Sequence, residues 1–141
     1  MAVRKAEAIW EGTLTEGTGN FSVQSGAVGG AYSFKTRFEE EPGTNPEELL
    51  GAAHASCFSM ALSAQLTRAE FPPTRIHTTA EVKFDKGESG WSITNITLHT
   101  EAEVPGIDEA TFQEKAQAAK EGCPLSKALA SVDITLDAKL V

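Results

Sequence analysis

The stretch NPEELLGAAHASCFSMALSAQLTRA, residues 45–69, decides how the chain is organised. Asn45 suits an N-cap, and Pro46 suits the first helical position, where its missing N–H is not needed. Glu48 falls at N3 and can close a capping box on Asn45. Glu47 is left spare at the positive end of the helix dipole. From Leu49 onward the run is apolar on most sides and rich in Ala and Ser, which predicts a buried helix rather than a surface one. Its small side chains let another helix approach closely, a second copy of itself included. Phe71-Pro72-Pro73 ends it.

Upstream, residues 6–14, 20–23 and 32–38 are short β-rich segments, parted by Gly-rich breaks at 16–19 and 25–30. Tyr32, Phe34, Thr36 and Phe38 alternate with Ser33, Lys35 and Arg37, so a strand here turns Arg37 away from Phe34 and Phe38. A polar turn over 39–44 contains Pro42-Gly43. Downstream, residues 75–85 and 91–104 alternate as two strands joined by a hairpin loop at 86–90. Ile76, Thr78, Ala80, Val82 and Phe84 share one face of the first; Ile93, Ile96 and Leu98 mark the second. Pro105-Gly106 breaks the chain again. Asp108 then caps a second helix, with Ile107 and Phe112 spaced as a hydrophobic staple. Phe112, Ala116 and Ala119 form its apolar stripe, and Gly122 after Glu121 reads as its stop. Cys123-Pro124 starts a short third helix to Ala130, and Ile134, Leu136 and Ala138 alternate on a last strand. The order βββ-α-ββ-αα-β is that of an α+β fold. With no repeat, linker or low-complexity segment, residues 1–141 are expected to form a single domain.

The 141 residues carry a net charge of −8, which argues against nucleic acid and anionic membranes, both of which select basic patches. Apolar residues make up 40% and charged residues 23%, an ordinary globular balance with enough core to need no metal or disulfide. No run of 18 apolar residues predicts a spanning helix, and the start MAVRKAEAIWEG has no signal-like apolar region. The two cysteines therefore read as reduced thiols of a cytoplasmic protein.

Cys57 lies within the apolar helix, where a lone thiol is ordinarily a small core hydrophobe with a raised pKa. Cys123 stands at a helix start, where backbone N–H groups and the dipole favour a thiolate. The local sequence thus nominates Cys123 as the more acidic thiol. His54 and Cys57 share a helix face and fit either two metal ligands or a Cys–His hydrolase pair. No second close ligand pair and no orienting third residue accompany them, His77 and His99 falling on strands. Arg37 and Glu47 are surface charges on sequence alone. Three readings stay open at this level: a thiol redox enzyme, a Cys-dependent hydrolase or acyl transferase, and a non-enzymatic ligand-binding stress protein.

The stretch TRFEEEPGTNPEELLGAAHASCFSMAL (36–62), with VPGI (104–107), GCP (122–124) and AIWEG (8–12), resembles the OsmC/organic hydroperoxide resistance family. The similarity runs in one register from about residue 6 to the end. It favours the osmotically inducible OsmC branch, because the organic hydroperoxide resistance branch usually has Gln where this chain has Glu48, and draws its arginine from nearer the N-terminus. The resemblance implies thiol-dependent reduction of organic hydroperoxides, an antioxidant peroxidase activity without cofactor or metal. Cys57 matches the peroxidatic cysteine and Cys123 the resolving one, giving a Cys57–Cys123 disulfide. Arg37 matches the arginine that holds the thiolate and orients the peroxide, and Glu47 the carboxylate that pairs with it. The implied fold is an intertwined homodimer with central helices flanked by sheets, the active site at its interface. The implied reductant is a dithiol such as a lipoylated protein. Ten residues of helix span about 15 Å, so Glu47 cannot touch Cys57 along one straight helix. Either the long Arg37 bridges part of that gap, or Arg37 and Glu47 come from the partner chain; the second is the expectation taken, given the Ala/Ser-rich faces of the helix.

Overall fold

The computed structural model describes all of residues 1–141, and the chain parts into two compact units, Met1–Leu49 and Leu50–Val141. In the first, β1 (Ala6–Glu11), β2 (Thr18–Val23) and β3 (Gly29–Tyr32) form an antiparallel meander with β2 in the middle. Gly19 pairs with Trp10 on one side and Tyr32 on the other, and the two rings sit 5.6 Å apart. A Cβ on Gly19 would lie 2.6 Å from Tyr32 Cζ and 2.7 Å from Trp10 Cε3, so only a hydrogen lets the rings close over the strand.

The strand expected over 32–38 does not form. Its second half is a short helix, α1 (Phe34–Phe38). Ser33 and Thr36 close a complete capping box: the Thr36 amide donates to Ser33 Oγ at 3.2 Å, and the Ser33 amide to Thr36 Oγ1 at 2.9 Å. These local bonds outweigh the alternation. Phe34 and Phe38 are also four apart, and their rings stack at 4.9 Å as helical neighbours. Arg37 consequently sits in the last turn of α1, not on a strand.

The long helix α2 (Pro46–Arg68) begins where the sequence predicts. The Glu48 amide donates to Asn45 Oδ1 at 2.9 Å, and Asn45 Nδ2 donates to the Thr36 carbonyl at 3.1 Å, tying α1 to the helix start. The Glu48 carboxylate is exposed and does not return the capping bond. Along the second unit, Gly51, His54, Phe58, Leu62 and Leu66 form a buried stripe at helical spacing. Ala52, Ala53, Ser56 and Met60 face the other way and are exposed, Met60 by 75%. One chain thus covers one face of a helix whose sequence calls for cover on most sides. By length and composition alone α2 is long and apolar enough to cross a membrane, although it holds no uninterrupted run of 18 apolar residues. Abundant Ala raises its mean hydropathy, while Phe58, Leu62 and Leu66 lie in the core.

The second sheet has the order β4-β5-β6, from β4 (Arg75–Gly87), β5 (Gly90–Glu103) and β6 (Asp133–Leu140). β5 runs antiparallel to β4 and parallel to β6, and its register makes apolar rows across three strands: Ala80, Leu98 and Leu136, then Val82, Ile96 and Ile134. A register shift at Lys83/Phe84 pairs Phe84 with Ile93, which reconciles Ile93 and Ile96 despite their opposite parity. The core joins these rows to Phe58, Leu62 and Leu66 of α2, to Ile107, and to Phe112, Ala116 and Ala119 of α3 (Glu109–Gly122).

Asp108 caps α3 as expected: the Thr111 amide donates to Oδ2 at 3.0 Å and the Thr111 hydroxyl to Oδ1 at 2.6 Å. These bonds, to the hydroxyl first, hold the Asp108 carboxyl below its usual range. A depressed carboxylate stabilises above its unfolded pKa, and the gain is lost as pH falls through the folded value. Asp108→Asn keeps a capping oxygen that does not titrate. It should therefore flatten the acid-side loss of α3 amide protection below about pH 4, measured by hydrogen exchange. Gly122 does not end α3 by a left-handed turn. Its φ is not positive, and the Cys123 amide still donates to the Ala119 carbonyl at 2.9 Å. Pro124 is the stop: it supplies no N–H and disfavours helical backbone at Cys123. It then serves as the first residue of α4 (Pro124–Ala128), which ends two residues short of the predicted Ala130.

Candidate active site

The second unit brings the two thiols together. Cys57 projects from the middle of α2, Cys123 from the N-cap of α4, and their sulfurs lie 2.8 Å apart with Cys123 donating. Both are free thiols; Cys57 is half-buried and Cys123 fully buried. Burial pushes the Cys57 thiol up first, and the hydrogen bond from Cys123 adds to it, while the backbone N–H of Leu125 pulls it down. Part of the α4 helix start thus acts on Cys57. Cys123 makes no side-chain capping bond, and the amide two residues further on serves the Cys57 sulfur. Two thiols already in contact can close to a disulfide with little movement of the backbone.

His54 lies one turn before Cys57, but its ring does not address the thiol. Its Nε2 is 2.9 Å from Ser126 Oγ of α4, and its Nδ1 is buried with no partner. A hydrolase pair needs the imidazole on the nucleophile. A buried orphan polar atom costs roughly 1–3 kcal/mol. Burial also lowers the His54 pKa from its usual 6.5, so the ring is neutral at pH 7. The unfolded chain accepts a proton that the folded chain refuses. This part of the stability is full above pH 6.5 and falls as pH drops toward the lowered folded value. His99 has the opposite sign, since Asp137 raises its pKa. Comparison with His54→Gln isolates the His54 share: between pH 7 and 5 the parent's urea midpoint should fall more steeply than the variant's. Parallel slopes would remove His54 from the titration. His77 is exposed on β4 and stands apart from this centre.

The first unit holds the second pair of predicted residues. Arg37 grips Glu47 through Nη2–Oε1 at 2.8 Å and Nε–Oε1 at 3.2 Å, with Nε–Oε2 at 3.3 Å. Glu47 is buried and Arg37 only partly so. The Arg37 Cζ also lies 5.3 Å from the Phe38 ring centroid. Beside Arg37 opens a cavity of about 240 Å³ lined by Trp10, Leu14, Tyr32, Ser33, Phe34 and Phe38.

The OsmC-like protein family matches residues 38–137, a span holding Glu47, Cys57 and Cys123, with Arg37 one position ahead of it. A protein of Escherichia coli named peroxiredoxin OsmC is 54% identical over 138 residues, covering 97% of this chain and 96% of its own. The chain belongs to the OsmC-like family. Organic hydroperoxide resistance protein OhrB of Bacillus subtilis is 35% identical over 104 residues, covering 72% of this chain and 74% of its own. The crystal structure bearing the OhrB name has a TM-score of 0.72 at 26% identity, over 96% of this chain and 98% of that one. An organic hydroperoxide resistance protein from Elizabethkingia anophelis shares the fold, with a TM-score of 0.79 at 21% identity over 99% of both chains.

In this OsmC-like chain, two partners of the site were not foreseen. The Leu125 amide is invisible to side-chain patterns, and Ser126 is an unmarked residue of a short helix. Their signal is positional: both follow the Cys-Pro start of α4 within one turn. Phe58 is core, with no exposure, whereas Met60 points out of the chain.

Proposed function

We infer that this chain is a thiol-dependent peroxidase that reduces organic hydroperoxides to alcohols. The observation that carries the reading is the contact of two free sulfurs, one reachable and one enclosed, in a chain of this family. The Cys57 thiolate attacks the terminal oxygen of ROOH, the O–O bond breaks, and alkoxide leaves and is protonated to alcohol. Cys57 becomes a sulfenic acid. Cys123 then attacks the Cys57 sulfur, the S–O bond breaks, water leaves, and the Cys57–Cys123 disulfide forms. An external dithiol, which we assign to a lipoylated protein, restores both thiols by exchange. The electrons balance without metal or cofactor.

Burial raises Cys57, so a cation must stabilise its thiolate. We assign that role to Arg37, fixed by Glu47 and delivered by the partner chain of a homodimer. Support comes from the fork geometry of the pair and from the small-residue face that α2 leaves exposed. The aromatic cavity beside Arg37 suits an organic group better than hydrogen peroxide. In this reading the whole of residues 1–141 acts as one cytoplasmic domain.

Titration of the reduced protein with an organic hydroperoxide tests it. Loss of both thiols per chain to an intramolecular disulfide, located by mass spectrometry, is the expected result. Thiols that survive excess hydroperoxide overturn it.

A further inference from the structure

Three polar contacts join α2 to α4. The Cys123 thiol bonds the Cys57 sulfur, the Leu125 amide bonds the same sulfur, and His54 Nε2 bonds Ser126 Oγ. The first two depend on the state of Cys57: oxygen added to that sulfur, or a covalent bond from Cys123, changes both. The third involves no thiol. It sits one helical turn from each cysteine, His54 three residues before Cys57 and Ser126 three after Cys123.

We propose that the buried His54–Ser126 pair is a redox-independent clasp that positions the resolving cysteine over Cys57 throughout the catalytic cycle. The site has the features such a part needs. α4 is five residues long, starts at a proline, and its N-cap makes no side-chain bond, so it has little internal means of holding its place. The His54 ring is fully buried and Ser126 nearly so, so water does not compete for the bond. The ring is neutral, because burial disfavours its charge. His54 also keeps one nitrogen unpartnered, so its bond to Ser126 is the single polar contact that its burial secures. His54 and Ser126 are positioning residues: neither touches the peroxide, and neither exchanges a proton with it.

The proposal rests on the Cys57–Cys123 pair of the functional reading, so its main test does not require peroxidase activity. The chain, His54→Leu, Ser126→Ala, the double variant and His54→Gln are equilibrated in mixtures of reduced and oxidised dithiothreitol, and the disulfide fraction is read by thiol alkylation and mass spectrometry. His54→Leu and Ser126→Ala should each shift the equilibrium toward the dithiol by up to about tenfold, because an unclasped α4 gains freedom in the dithiol that the disulfide takes away, and the worth of one ordinary net hydrogen bond bounds that gain. The double variant should match the singles rather than add to them, because both break one bond. His54→Gln, which keeps a polar group within reach of Ser126, should restore most of the shift. A purely structural role would lower thermal stability and leave this equilibrium in place. Unchanged equilibria, additive singles, or a parent that forms no Cys57–Cys123 disulfide in the buffer each overturn the clasp. Failure of the peroxidase reading looks different: the disulfide forms in dithiothreitol buffer but not with hydroperoxide.

Discussion

Cys57→Ser should abolish reduction of an organic hydroperoxide, lowering the rate by more than about a thousandfold, while Cys123→Ala should complete one turnover and stop. A serine hydroxyl stays protonated at neutral pH and forms no sulfenic acid. Cys123 cannot take over the attack, because its side chain has no exposure, whereas Cys57 is only partly covered. A hydroperoxide reaching the site from solvent meets Cys57 first. In Cys123→Ala, a sulfenic acid should therefore accumulate on Cys57 and be trapped by a carbon nucleophile, with one alcohol released per chain. Rapid peroxide consumption by Cys57→Ser would assign the attack to Cys123, the thiol that local sequence physics favoured.

That tension marks where the sequence stopped being sufficient. The start of α2, the Asp108 cap and the alternation of β4 and β6 were legible because they depend on residues within one turn or one strand. The helix α1 was not, since seven alternating residues satisfy both periods and a Ser–Thr capping box decided between them. The parity of Ile93 and Ile96 likewise needed a bulge that no residue announces. At the site, the two cysteines stand 66 positions apart, and no local spacing brings them together; only the family resemblance did. The resemblance said nothing of the Leu125 amide, a backbone donor available at that point because Pro124 ends α3 and starts α4 there. Sequence reading was right that a helix start acts on a thiol. It did not foresee that the Leu125 amide addresses the Cys57 sulfur, because a capping effect reaches whichever sulfur lies in front of the amides.

The Leu125 amide does not settle the charge balance, and this gives Arg37 its expected effect. Cys57 remains raised overall, with burial the largest cause, so thiolate is scarce at neutral pH unless a cation approaches. A guanidinium at about 4 Å and an effective dielectric near 20 supplies roughly 4 kcal/mol. Its carboxylate partner Glu47, bonded at 2.8 Å, cancels part of that field. A residual effect of about two pKa units, or a hundredfold in thiolate, is the reasonable magnitude. Arg37→Ala should accordingly slow the reaction with hydroperoxide about a hundredfold at neutral pH, and the deficit should shrink as pH rises and the thiol ionises unaided. Arg37→Lys keeps a charge but loses the fork, so it should fall between the two. Glu47→Gln separates charge from placement. Loss of the anion alone would lower the thiol pKa and quicken the reaction, whereas loss of placement lets Arg37 leave the sulfur, so a positioning role predicts a slower reaction with its pH midpoint moved up. Stopped-flow rates from pH 5 to 9 on all three variants read these outcomes, and an Arg37→Ala profile matching the parent's would mean that another group stabilises the thiolate.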